Sequence, residues 1–282
     1  MVAAFLVAYP FYLVTAFGDL RERLAGRRFP LYLLASAVLP YLVSCLGAVE
    51  FHWLGLARMA ALALMMGLWY LVLPQRAAVD LLFLALIPAI LLGKYFDAVF
   101  TTADPSWRRY AVVLGHVILI QLAVMVLLVA RRTGDFGYGF VPAARDWRIG
   151  GLHYLYFVLI GSPLALLLKA VKLSPAAPAA EIAGFFFGSL WVLSLSEEFF
   201  LRGVFWHWIE EWSGSRSVAH AVSSAVFGLM HLWFRAFPNW RWAALATVLG
   251  WLCGRARIQA GNIRAGVVTH TLVVTTWQAF FR

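Results

Sequence analysis

The chain alternates between long apolar runs and short polar connections. A transmembrane helix needs about 20 predominantly apolar residues, with roughly 17–25 the usual range. The pattern therefore predicts an all-α fold, a polytopic membrane helix bundle with eight to ten transmembrane helices, the first of which we expect to be an uncleaved span. The runs lie at 1–17, 30–48, 57–73, 79–100, 110–130, 151–168, 182–212, 218–236, 240–256 and 263–281.

The polar connection at 133–150 is the best internal boundary, because it is rich in glycine and polar residues. It separates N-terminal transmembrane helices of unknown role (1–132) from a second region (151–282). In the first region Asp80 lies near the end of a run, where we expect a solvated side chain and not a site.

Composition supports the membrane assignment, because 63% of the residues are hydrophobic and only 13% are charged, whereas a soluble domain carries about 25% charged residues. The net charge of +10 is not clustered as in nucleic-acid-binding proteins, so we expect no nucleic acid partner. Basic residues in short loops instead orient membrane helices. We expect a multi-pass protein of the cell membrane, in contact with the lipid bilayer. The excess of arginine over lysine is typical of GC-rich bacterial genomes, so we expect the membrane to be a bacterial inner membrane.

Charged residues interrupt the apolar run at 182–212. Glu197, Glu198 and Arg202 lie within it, and a charge inside a membrane-spanning helix is costly enough that such residues usually have a function. On a helix, Glu198 and Arg202 are four residues apart and share a face, whereas Glu197 is rotated by about 100°. We expect Arg202 to pair with Glu198 and to leave Glu197 available.

Two histidines complete a predicted constellation. Glu198 precedes the turn at Gly214 by nearly the same number of residues as His231 follows it, so two antiparallel helices bring both to a similar depth. His270 lies about 10 Å into the last predicted helix, seven residues after Ile263. We predict that these residues and Glu197 surround one intramembrane cavity.

These residue types suit hydrolysis. A carboxylate in a low-dielectric site can take a proton from water, a neighbouring histidine can share that proton, and a second histidine can donate to a developing oxyanion. A G-x-S-x-G motif is absent from the sequence, which disfavours a serine nucleophile. We expect no cofactor. Zinc is the alternative, with Glu197, His231 and His270 as its ligands, although H-E-x-x-H is absent.

The order Glu197-Glu198-x-x-x-Arg202, Phe227-x-x-x-His231 and a histidine in the last span resembles the CAAX prenyl protease and bacteriocin-processing (Abi) family. These proteins are glutamate-type intramembrane endopeptidases. The resemblance covers roughly 150–282 and implies an intramembrane protease core in 151–282 that cleaves a membrane-anchored protein or peptide. It also implies that Glu197 is the general base with His231, that Arg202 holds Glu198, and that His270 stabilises the oxyanion.

The sequence departs from this family at one position. The last motif of the family is His-x-x-x-Asn or His-x-x-x-Asp, but Val274 stands four residues after His270. Loss of one oxyanion donor typically lowers the rate by about 10²–10³. A catalytically weak or inactive relative, acting as a bacteriocin-immunity or scaffolding protein, is therefore an alternative. A proton-coupled transporter is a further one, although the sequence has no internal repeat.

Overall fold

The computed structural model describes residues 1–174 and 176–281, and these are predominantly helical. Two isolated antiparallel bridges, Glu50 with Thr101 and Leu173 with Phe281, are the only extended pairing in these residues. The described residues form a short 3₁₀ helix, His231–Trp233, and twelve further helices: α1 (Val2–Val14), α2 (Gly18–Leu24), α3 (Phe29–Ser44), α4 (Trp53–Val72), α5 (Ala77–Leu92), α6 (Tyr95–Val99), α7 (Pro105–Arg131), α8 (Ala144–Leu167), α9 (Ala179–Ser213), α10 (Arg216–Met230), α11 (Trp240–Ala260) and α12 (Arg264–Phe280).

The all-helical prediction is confirmed, but the count of eight to ten spans is not. Within the described part of the chain, four helices are long and apolar enough to cross a membrane: α4, α7, α8 and α9. A fifth is obtained if α1 and α2, bent by 96°, are counted as one span. The other runs fall short of this length and composition, because α3, α5, α10 and α12 have fewer than 18 residues and α11 carries three arginines.

The chain divides into two compact units, Met1–Gly134 and Asp135–Arg282. Only Thr133 and Gly134 of the predicted polar connection belong to the first unit. The last residues of the predicted connection, 144–150, are helical and form the start of α8. Asp146 stabilises that start, because its carboxylate accepts a hydrogen bond from the backbone N–H of Ala143, which is a favourable use of an acidic residue in a first turn.

The first unit contains a buried ion pair that the sequence analysis did not predict. Asp80 is 2% exposed and accepts two hydrogen bonds from Arg131, Nε to Oδ1 at 2.8 Å and Nη2 to Oδ2 at 2.9 Å. The expectation that Asp80 is solvated is wrong. The cause is tertiary, because the end of α7 brings Arg131 to the first turn of α5.

In the second unit α11 is the central helix, and it packs against α8, α10 and α12. The core between these helices includes Phe157, Phe227, Leu249, Cys253 and Val273. Helix α9 packs against α12 along part of its length and against α10 near its end. Both neighbours of α9 therefore come from the segments that carry the two predicted histidines.

Candidate active site

Helix α9 presents its acidic pair between two π-helical turns. The first turn covers Ser189–Leu193 and the second covers Phe199–Phe205. Glu197 and Glu198 end the short α-helical segment between them. π-Helical turns widen a helix and are frequent at functional sites. The local distortion is therefore concentrated around the two carboxylates.

Glu198 is the centre of a fully buried polar cluster. Arg202 Nη1 donates to its Oε1 at 3.2 Å, and both side chains are 0% exposed. His270 Nδ1 lies 3.0 Å from the same oxygen. The predicted pairing of Glu198 with Arg202 is confirmed. Because a carboxylate beside a guanidinium is ionised and only accepts, the geometry has His270 donating through Nδ1.

Glu197 occupies a different environment from its neighbour. Its side chain is 32% exposed, and its Oε2 lies 3.8 Å from His270 Nε2. His270 thus stands between the two carboxylates, with one ring nitrogen toward each. Glu197 is the only one of these three side chains that is substantially accessible, so it is the acid that a water molecule can reach.

His231 is the C-cap residue of α10, which ends at Met230, and it begins a short 3₁₀ helix, His231–Trp233. Its Nδ1 is 2.8 Å from the carbonyl oxygen of Phe227. A carbonyl only accepts, so Nδ1 donates, and in the neutral imidazole Nε2 then carries the lone pair.

The ring of Phe227 separates His231 from the buried cluster. Its centroid lies 4.7 Å from that of His231 and 5.4 Å from that of His270, and the Arg202 guanidinium lies 4.2 Å above it. The structure thus joins Glu197, Glu198, Arg202 and His270 directly, and places His231 one ring away. None of the five lines the groove along α8 or the small cavity at the end of α9.

Sequence reasoning missed two glycines that make room for this cluster. A Cβ atom on Gly250 would lie 2.5 Å from Arg202 Nη2, and one on Gly266 would lie 3.0 Å from Glu198 Oε2. Gly250 and Gly254 form a G-x-x-x-G pair on α11, which is a known signal for close helix approach in membranes. That spacing was the available clue.

The side chains that could hold a metal differ from the predicted set. The ligand atoms of Glu198, Cys253 and His270 all lie within 4.8 Å of one another, in place of the Glu197, His231 and His270 expected for zinc. Arg202 contacts the same Glu198 oxygen that faces His270, so a cation there would oppose a guanidinium. The residues fit a metal poorly, and we derive no step through one.

The fold and this cluster define a helical protein with membrane-spanning character and a buried acid–arginine–histidine site. Residues 179–276 match the family described as type II CAAX prenyl endopeptidase Rce1-like, which is a protease family. The match includes Glu197, Glu198, Arg202, His231 and His270, and it confirms the family resemblance inferred from the sequence. No curated protein and no solved structure matches the chain significantly.

Proposed function

We propose that the protein is an intramembrane glutamate-type endopeptidase that hydrolyses a peptide bond of a membrane-anchored substrate. The observation that carries the proposal is the contact of His270 with both carboxylates, 3.0 Å from Glu198 and 3.8 Å from Glu197. A purely structural ion pair would need only Glu198 and Arg202. The additional acid and histidine supply a base and a donor.

The charges of the cluster suit this role. Glu197 and Glu198 carry two negative charges in their ionised forms, and Arg202 supplies one positive charge. If His270 is an imidazolium, the buried group is neutral overall, which lowers the cost of keeping charges away from water. In that form Nδ1 stays on Glu198, and Nε2 carries a proton that it can donate to a substrate oxygen.

Glu197 is the proposed general base. Its carboxylate takes a proton from water while the water oxygen attacks the carbonyl carbon of the substrate, and the carbonyl electron pair moves to oxygen. His231 assists through Nε2, whose lone pair is left free by the Nδ1 contact with Phe227. On collapse, the carbonyl re-forms, the C–N bond breaks, and the proton held by the base passes to the leaving amine.

His270 is the proposed donor to the oxyanion. Glu198 and Arg202 act through it, because Arg202 holds Glu198 and Glu198 fixes the orientation of the imidazole. Val274 cannot add a second hydrogen bond to the substrate oxygen. Removal of one oxyanion donor typically costs about 10²–10³ in rate, so we expect a slow but genuine hydrolase.

The test is a comparison of protein C-termini in cells. Membrane-anchored proteins are analysed by mass spectrometry in cells that express the wild-type protein, the Glu197→Gln variant, or neither. We expect truncated C-termini only with the wild-type protein. Identical termini in all three, at equal membrane levels of the two proteins, would contradict a peptidase and favour a non-catalytic role.

Chelation separates the proposed mechanism from the zinc alternative. We expect a chelator to leave the cleavage rate of the purified protein unchanged. A loss of activity that added zinc restores would assign the histidines and glutamates as ligands and overturn their proposed roles as base and donors.

A further inference from the structure

A small polar cavity, separate from the candidate active site, lies where α9 ends, α10 begins and α11 ends. Its volume is about 120 Å³, enough for a small oxyanion but not for a nucleotide. A separate groove of about 670 Å³ runs along α8 and is lined mainly by exposed residues of that helix. The smaller cavity is of interest because of its charged lining: Trp206, Glu210, Arg216, Arg257, Ile258 and Gly261.

Arg257 is the unusual member of this lining. Its guanidinium carbon lies 4.6 Å from the Trp206 ring centroid and 5.9 Å from that of Phe136. Its Nη1 is buried and has no hydrogen-bond partner among residues 1–174 and 176–281. Arg257 as a whole is half-buried, but a guanidinium N–H that is buried without a hydrogen-bond partner is costly. The proposed peptidase chemistry does not use this side chain.

Glu210, the acid that lines the cavity, forms its hydrogen bonds with other side chains and not with Arg257. Glu210 Oε2 accepts from Trp206 Nε1 at 2.9 Å, and its Oε1 accepts from Arg216 Nε at 3.2 Å. Neither of these hydrogen bonds reaches Arg257, on which Glu210 acts only through space, and the three charged side chains together keep one net positive charge. The N-terminus of α10, which begins at Arg216, adds the partial positive charge of unpaired backbone N–H groups.

We propose that this cavity binds a phosphate-type oxyanion, with Arg257 as its principal ligand. Arginine is suited to this because its planar fork matches phosphate geometry. The cavity lies at the ends of three helices. In a membrane protein two sources of this chemistry reach such a position, the phosphodiester headgroup of an anionic lipid and free phosphate. The carboxylate of Glu210 repels an anion and lowers the affinity of the cavity for it, whereas Arg257 raises that affinity.

The experiment uses the full-length protein purified in a maltoside detergent, which contains no phosphate. The midpoint of thermal unfolding is followed against inorganic phosphate at constant ionic strength, and then in phosphatidylcholine nanodiscs with and without phosphatidylglycerol. A bound anion raises the midpoint in a saturable way. Stabilisation by phosphatidylglycerol alone identifies a lipid headgroup as the ligand, and stabilisation by both probes identifies a site that is open to free phosphate.

Three variants should change the half-saturating anion concentration in different ways. Arg257→Gln should raise the half-saturating concentration by about tenfold or more, the loss expected for a charge-assisted hydrogen bond. Arg255→Gln, an exposed arginine on the same helix that does not line the cavity, should change it by less than about twofold. Glu210→Gln should lower it, because a negative charge leaves the cavity and Gln can still accept from Trp206.

The proposal also predicts behaviour without the anion. Arg257→Gln should then be at least as stable as the wild-type protein, because it removes a guanidinium whose buried Nη1 has no hydrogen-bond partner in the described part of the chain. The absence of saturable stabilisation of the wild-type protein by either probe would overturn the proposal. Equal half-saturation for Arg257→Gln and Arg255→Gln would also do so. If Arg257→Gln does not fold, an unchanged or higher half-saturating concentration for Glu210→Gln would overturn it.

Discussion

Each unit of the molecule contains a buried carboxylate–arginine pair, and the two pairs are built differently. In the first unit Arg131 reaches both oxygens of Asp80, at 2.8 and 2.9 Å, and its Nη1 donates to Gln75. In the second unit Arg202 reaches Glu198 through a single contact of 3.2 Å. Its Nε and Nη2 have no hydrogen-bond partner in the described part of the chain.

We interpret the first pair as structural, and we propose that the second is functional. The bidentate pair hydrogen-bonds both carboxylate oxygens of Asp80, and Gln75 accepts from a third nitrogen of the guanidinium. The monodentate pair shares its carboxylate oxygen with His270, which in turn faces Glu197. A structure rarely keeps incompletely bonded buried charges unless they have a use. The second pair is therefore the one to which we assign chemistry.

Removal of each arginine should break the comparison most clearly. Arg202→Ala strands Glu198 at 0% exposure, and we expect a loss of about 3–5 kcal/mol in the free energy of unfolding together with loss of peptidase activity. Arg131→Ala should lower stability but leave the activity of the folded fraction intact. Both quantities are measured by denaturant unfolding and by cleavage rate per folded molecule. Equal specific activity of the two variants would contradict the distinction.

Removal of the His231 side chain should affect the cleavage rate alone. His231 is half-buried, and its ring donates a hydrogen bond to the backbone carbonyl of Phe227 in α10. We therefore expect His231→Ala to lower the cleavage rate by about 10²–10⁴ with little change in the unfolding midpoint. His207→Ala, another half-buried histidine outside the cluster, is the matched control. A similar small effect of both variants on rate would remove His231 from the mechanism.

A methyl group added beside Arg202 should disturb the second pair without removing a charge. Because a Cβ on Gly250 would lie 2.5 Å from Arg202 Nη2, Gly250→Ala should destabilise the protein by about 1–3 kcal/mol and reduce activity. A Cβ on Gly188 of α9 would meet nothing within 4 Å. Gly188→Ala should instead stabilise the helix by up to about 1 kcal/mol. If Gly250→Ala is neutral on both counts, the close approach of α11 to Arg202 is not required.

The smallest effect is expected at Val274. Val274→Asn supplies a hydrogen-bond donor at the position where the related family has Asn or Asp, so the cleavage rate should be unchanged or higher, with stability retained. The measurement is the rate of the variant relative to Val274→Ala, which removes bulk without adding a donor. A strong loss of rate in Val274→Asn alone would show that this position must be apolar.

The sequence was informative where partners are near in the chain. The spacing of Glu198 and Arg202 was sufficient to predict their contact, because four residues fix a common helical face. His270 and Glu198 are 72 residues apart in the chain. The sequence predicts only that they lie at a similar depth in the membrane, and not that they are in direct contact. The contact of Asp80 with Arg131 spans 51 residues and was missed, because tertiary packing determines it.

The extent of the helices was harder to infer. Hydropathy does not reveal that α10 ends at Met230, where a 3₁₀ helix begins at His231, nor that π-helical turns surround Glu197 and Glu198. Apolar runs therefore predicted the class of the fold correctly, whereas their number of spans is not confirmed.

The most direct test of the account is the cleavage rate of the purified Glu197→Gln variant in lipid vesicles. The substrate is a membrane-anchored protein that the cellular comparison of C-termini identifies. Gln keeps the size of the partly exposed side chain but cannot accept a proton from water. We expect the rate to fall by at least about 10² while the unfolding midpoint matches that of the wild-type protein. An unchanged rate in the folded variant would contradict a glutamate-activated water.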